Sequence, residues 1–160
     1  MKGLVAGLLL ACALVGCATP NRLVYSSGFS FANYDYVVIA RSDGRDTTTS
    51  LYGMDVEFAN LISRYNMKVI GDKEYDKLPL SVQKRTLNAR MSVTASNKRI
   101  LLAVSFDDAI TGRTGSSITA LTRGDIFDLD DRTKTFEAAS VTIVKALQQD
   151  KGLQITDEKR

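Results

Sequence analysis

Ile100-Leu101-Leu102-Ala103-Val104-Ser105-Phe106 is the stretch that decides the fold. It is short, almost wholly apolar, and bracketed by turn signals: Asn97-Lys98 before it and Thr111-Gly112-Arg113-Thr114-Gly115 after it. Such a run reads as a strand, and its near-continuous apolarity predicts a central strand buried on both faces. Before it, Ala89, Met91, Val93 and Ala95 alternate with polar residues. After it, Ser117, Thr119, Leu121 and Arg123 alternate with Ile118, Ala120 and Thr122. A period of two marks each as a strand, and tight turns between the three predict an antiparallel meander.

Upstream of the meander the period changes. Tyr34, Tyr36, Val38 and Ala40 alternate with Asp35, Val37, Ile39 and Arg41 as a mostly buried first strand. A polar loop, Arg41 to Ser50, ends in Thr49 or Ser50 as a helix cap. Leu51, Met54, Phe58, Leu61, Ile62 and Tyr65 then follow helical spacing, which predicts an amphipathic helix over Ser50–Tyr65. Met67 to Ile70 is a second strand, stopped by Gly71-Asp72. The charged stretch Asp72 to Leu87, broken by Pro79, suits one or two short helices. Phe136, Ala139, Ile143, Ala146 and Leu147 mark one face of a C-terminal helix closed by Lys151-Gly152. The order β-α-β-α-β-β-β-α predicts an α/β (mixed α+β) fold. A parallel strand pair joins the meander in one five-stranded mixed sheet, with helices packed on it.

The N-terminus carries an address. Lys2 gives one positive charge, and Gly3 to Ala13 form an uncharged run too short for a membrane span, which needs roughly 20 residues. A secretory h-region of roughly 7–15 residues fits it. Leu14-Val15-Gly16-Cys17 then reads as a lipobox, with Leu9-Leu10-Ala11-Cys12 a poorer match. Residues 1–16 are therefore expected to be a lipoprotein signal peptide. Cys17 is expected to carry covalent diacylglycerol and an N-acyl chain such as palmitate, enough chains for stable anchoring. Ala18, not Asp, follows the cysteine and favours the outer membrane, with the domain facing the periplasm. Residues 17–28 read as the lipidated cysteine and a flexible tether, 29–152 as one α/β domain, and 153–160 as a polar tail.

Composition excludes several chemistries. The chain has no histidine, and Cys17 would be the only cysteine left after cleavage. A Ser-His-Asp or Cys-His catalytic pair lacks its proton shuttle, and metal sites built on imidazole or thiolate lack their ligands. The formal net charge of +3 is spread along the chain and makes no nucleic-acid footprint. No enzyme, no cofactor and no metal are expected.

The amphipathic helix, the run Met67-Lys68-Val69-Ile70 after it, and Lys73-Glu74-Tyr75 beyond resemble a recurring envelope module. The N-terminal domain of the Tol system's β-propeller protein and the periplasmic domain of the curli-secretion lipoprotein are similar in layout. Asn66 stands where a glycine often precedes the second strand. The resemblance implies binding to other envelope components and carries over no catalytic residue.

The remaining clusters read as structural first. Asp125, Asp128, Asp130, Asp131 and Glu137 form the densest carboxylate group. Asp128-x-Asp130 opens like a calcium loop, but Arg132 takes its fifth position and no glycine its sixth; Asp130 or Asp131 as a helix cap is the plainer reading. Asp107-Asp108 could pair as acid and base in a glycan hydrolase, yet neighbours on a strand point to opposite sides. Thr111–Gly115 lacks the ending of a phosphate loop, so no nucleotide is expected. Phe29 and Phe31 are expected to dock on the core, and an exposed aromatic patch is the alternative. The candidate partner surface is Phe29, Phe31 and Tyr34 with Arg41 and Arg45. The expected function is a membrane-anchored, non-enzymatic binding or envelope-assembly module with an envelope protein as partner. A peptidoglycan-contacting structural lipoprotein and a carboxylate-based hydrolase are the alternatives.

Overall fold

The computed structural model describes residues 21–40 and 53–152. In chain order these form β1 (Arg22–Tyr25), a 3-10 turn (Phe31–Asn33), β2 (Tyr36–Ile39), α1 (Met54–Arg64) and β3 (Lys68–Ile70). Then follow α2 (Asp72–Tyr75), α3 (Leu80–Gln83), β4 (Thr86–Ser96), β5 (Arg99–Asp108), β6 (Thr114–Arg123) and α4 (Leu129–Lys151). The six strands make one mixed sheet in the order β1-β6-β5-β4-β2-β3. β2 lies parallel to both β3 and β4, and β4, β5 and β6 form the expected antiparallel meander.

The sheet has one strand more than the five expected. Arg22–Tyr25, within the segment read as tether, pairs antiparallel with β6 in the register Arg22 to Thr119 through Tyr25 to Ser116. Four residues are too few for a legible alternation; Leu23 packs against the core, and the Tyr25 ring meets buried Phe31 edge-on at 6.2 Å. The strand is held from both ends. Ser26 donates its N–H to Gly115 O at 2.8 Å, and the Asn21 side chain donates to Ala138 O at 2.8 Å.

β5 also differs from expectation. Ile100, Leu102, Val104 and Phe106 are fully or almost fully buried, but Leu101 between them is 37% exposed. Continuous apolarity here reflects one covered face and one face that carries small or aliphatic residues without cover.

α1 and α4 pack on the covered face. Phe58 of α1 meets Phe106 of β5, and Ala139, Ile143, Ala146 and Leu147 of α4 join the same buried cluster. The crossovers β2-α1-β3 and β3-α2-α3-β4 travel across the sheet in opposite directions. With the usual right hand the second must pass over the opposite face. Val38 and Ile70, paired in register, are buried outside the main cluster, and α2 lies against β2 there.

Local backbone follows residue chemistry. Asn66, in the place suited to glycine, takes φ 61° directly after α1, a conformation asparagine tolerates. Asn97 and Lys98 both have positive φ, which gives the β4–β5 hairpin a turn whose twist matches its strands. α4 is capped by Asp128, not by Asp130 or Asp131. Its carboxylate accepts the N–H groups of Asp130 and Asp131, and those two place negative charge on the helix's first turn. No helix among the described residues is long and apolar enough to cross a membrane.

Candidate functional site

The lipobox Leu14, Val15, Gly16 and Cys17 lies outside the described residues, as do Arg41 and Arg45. The other three members of the candidate partner surface belong to an aromatic cluster. Phe31 is fully buried, with its ring 5.0 Å from Phe106 at 90° and 5.0 Å from Phe29 at 81°. It therefore has no surface to offer a partner, which corrects that part of the expectation. Phe29 stacks on Tyr34 at 5.6 Å and lies over Gly115, where any Cβ would overlap its ring. α4 locks this segment from behind: the Asp150 carboxylate accepts Phe31 N–H at 2.8 Å, and Lys151 donates to Tyr34 O at 2.6 Å. Burial of Lys151 lowers its pKa, an effect to which Arg85 adds and which Asp35 opposes.

The carboxylates of Asp107, Asp108, Asp125, Asp128 and Asp131 are engaged in structure. Asp107 and Asp108 point to opposite faces. Asp107 is buried, ion-paired with Arg90 at 2.6 Å, and accepts the Thr114 hydroxyl at 2.7 Å. Asp108 ties the following turn, its Oδ1 accepting Ile110 N–H, Thr111 N–H and the Thr111 hydroxyl at 3.1, 2.7 and 2.9 Å. Its Oδ2 accepts the Tyr34 hydroxyl at 2.9 Å. Burial pushes the Asp108 pKa up, but the donations from Thr111, Tyr34 and Ile110 outweigh it and hold the group below the usual value. Burial, with the hydrogen bond to Asp108, pushes the Tyr34 hydroxyl up to about 12. Asp125 and Asp131 brace the β6–α4 connection: Asp131 accepts Asp125 N–H at 3.0 Å, and Asp125 accepts Phe127 N–H at 2.9 Å. The Asp131 pKa is lowered, first by that Asp125 N–H. No group of three or more metal-ligating side chains is present among the described residues.

Among the described residues, no helix packs on the second sheet face over β4, β5 and β6. Register places Arg90, Ser92, Thr94 and Ser96 beside Ser105, Ala103, Leu101 and Arg99, and these beside Ser117, Thr119, Leu121 and Arg123. The β4 members from Arg90 to Ser96 are all exposed. Arg22 and Val24 of β1 extend the face past β6. Near the hairpin it dips into a cavity of about 410 Å³, with Leu101 and Leu121 among its lining and Thr94, Ser96, Asn97 and Arg99 around them. Arg99 and Arg123 sit directly opposite each other, an unfavourable pairing of like charges. Neither has a hydrogen-bond or ion-pair partner among the described residues. Sequence reading placed Arg123 at the end of an alternating strand and did not single out Arg99. The pairing becomes visible only once register is known.

No protein-family model matches the chain, and no curated protein sequence does. Solved structures match in fold. A single-residue variant of the PelC dodecamer from Paraburkholderia phytofirmans aligns with TM-score 0.50 at 14% identity, covering 80% of this chain and 98% of that one. A PDZ domain protein from Parabacteroides distasonis aligns with TM-score 0.53 at 13% identity, over 81% of this chain and 35% of that chain. Lipoprotein GNA1162 from Neisseria meningitidis aligns with TM-score 0.41 at 11% identity, over 69% and 96%. At such identities the likeness to the PelC variant and to the PDZ domain protein extends to the fold alone.

Proposed function

We propose that this chain is an outer-membrane lipoprotein, anchored through acyl chains on Cys17, whose periplasmic domain is a non-enzymatic binding module for another envelope protein. Anchoring confines the domain to a surface and raises its effective concentration for partners there. The observation that carries the reading is the uncovered β4–β5–β6 face. It combines an aliphatic centre at Leu101 and Leu121 with a rim of hydroxyls at Ser92, Thr94, Ser96 and Thr119, the apolar-centre and polar-rim anatomy of a protein interface. The carboxylates of a rival hydrolase are held by turns, caps and Arg90. A likeness in layout to the Tol and curli envelope modules belongs to the same proposal. So does the choice of partner, since PelC is described as a dodecamer and a second copy of this chain is one candidate.

Leu101→Asp combined with Leu121→Asp tests the reading. Both residues face solvent in part, so the variant should keep its far-UV circular dichroism and most of its melting temperature while losing partner capture and its envelope phenotype. A folded variant that retained both would refute the assignment of this face.

A further inference from the structure

We propose that the end of the domain formed by the β4–β5 hairpin, the finish of β6 and the start of α4 is a membrane-docking surface. There Lys98, Arg99 and Arg123 meet phospholipid headgroup phosphates and Phe127 enters the interface. The inference rests on the anchor at Cys17 proposed above and goes beyond it by assigning how the domain stands on the bilayer.

The direction of β1 carries the argument. β1 runs antiparallel to β6 with Arg22 opposite Thr119 and Tyr25 opposite Ser116, so the chain enters the sheet from the end where β6 finishes. Asn21, held to α4 by its bond to Ala138 O, is four residues from Cys17. Four residues span at most about 14 Å. The four steps of β6 from Thr119 to Arg123 rise about 13 Å. A lipidated Cys17 therefore keeps this end of the sheet close to the bilayer, because the strand at Arg22–Tyr25 has shortened the tether.

The same end has the side chains an interface needs. The turn at Asn97-Lys98 and the opposed Arg99 and Arg123 bring three cationic side chains together, none of them with a hydrogen-bond or ion-pair partner among the described residues. They border a cavity of about 600 Å³ that Asp125 and Asp131 also line. Both carboxylates are already engaged, Asp125 by Phe127 N–H and Asp131 by Asp125 N–H and Lys134. Phe127 stands 81% exposed and Leu129 64% exposed on the same connection. Phe127 and Leu129, two neighbouring apolar side chains open to water, are favourable at a headgroup boundary, where the cations beside them add attraction to phosphate.

The chain contains no tryptophan, so Phe127→Trp introduces a unique fluorophore at the proposed contact. Full-length lipidated protein carrying this change is reconstituted in vesicles of phosphatidylethanolamine and phosphatidylglycerol. The expected result is blue-shifted emission and roughly twofold quenching by lipids brominated on their acyl chains. Both should diminish when Lys98, Arg99 and Arg123 are changed together to glutamate. Water-like, unquenched emission from protein whose Cys17 is acyl-labelled overturns the docking surface and leaves the anchor standing. Absence of acyl labelling overturns the anchor and this proposal with it.

Discussion

Phe31→Ala separates a core role for the N-terminal aromatic segment from a partner-contact role. Phe31 is fully buried, meets Phe106 and Phe29 edge-on at 5.0 Å, and anchors a turn whose N–H is taken by Asp150. Removing a buried phenylalanine ring costs about 3–5 kcal/mol through lost transfer energy and the cavity left behind. These two contacts, with a third to Tyr25 at 6.2 Å, place the value in the upper half of that range, since each such pair adds about 0.5–1.5 kcal/mol. Against a total stability of about 5–15 kcal/mol, this is a large fraction. For a domain of this size it corresponds to a fall in melting temperature of roughly 10–20 °C. Thermal unfolding followed by far-UV circular dichroism reads it directly. Phe127→Ala, at a position 81% exposed, is the control and should move the midpoint by less than about 2 °C. A Phe31→Ala protein that melts like the parent but loses its partner would refute the core assignment and restore the aromatic segment as a contact surface.

Gly115→Ala should destabilise by about 1–3 kcal/mol, because the added Cβ meets the face of the Phe29 ring and not a flexible chain end; denaturant titration measures it. Asp108 has a depressed pKa in the fold, so its contribution is complete above the unfolded value of about 4 and is lost as pH falls through the folded value. Asp108→Asn should therefore flatten the acid limb of the stability profile, and an unchanged limb would discount the turn network. Tyr34 titrates in the opposite sense. Its raised pKa, about 12, favours folding below the unfolded value, and that contribution disappears as pH rises through the folded value. Tyr25 and Tyr75 are also pushed up by burial, so phenolate absorbance should show late-titrating tyrosines, and Tyr34→Phe should remove one of them. Asp107→Asn and Asp128→Asn should lower stability without abolishing the envelope phenotype, and its loss in a stably folded variant would revive the hydrolase.

Periodicity made the meander, the parallel start and both long helices legible, because each buries one face and repeats at its own period. β1 was hidden because a four-residue edge strand has no pattern to repeat. The two-sided burial expected of β5 failed at Leu101, since apolarity alone does not distinguish a second covered face from one left open. The cap of α4 shifted to Asp128 because three aspartates crowd one turn, and only backbone geometry selects among them. The docking role of Phe29 and Phe31 was legible from their clustering. The opposed Arg99 and Arg123 lie 24 positions apart and become neighbours only through the register of β5 and β6.

Site-specific photo-crosslinking in cells from Leu101, with Val56 on the exposed side of α1 as reference, tests the tethered-binder account most directly. The account predicts a discrete adduct with an envelope protein, or with a second copy of this chain, from Leu101 and none from Val56. Adducts of equal yield from both positions, or none from Leu101 in protein shown to be lipidated and folded, would contradict it.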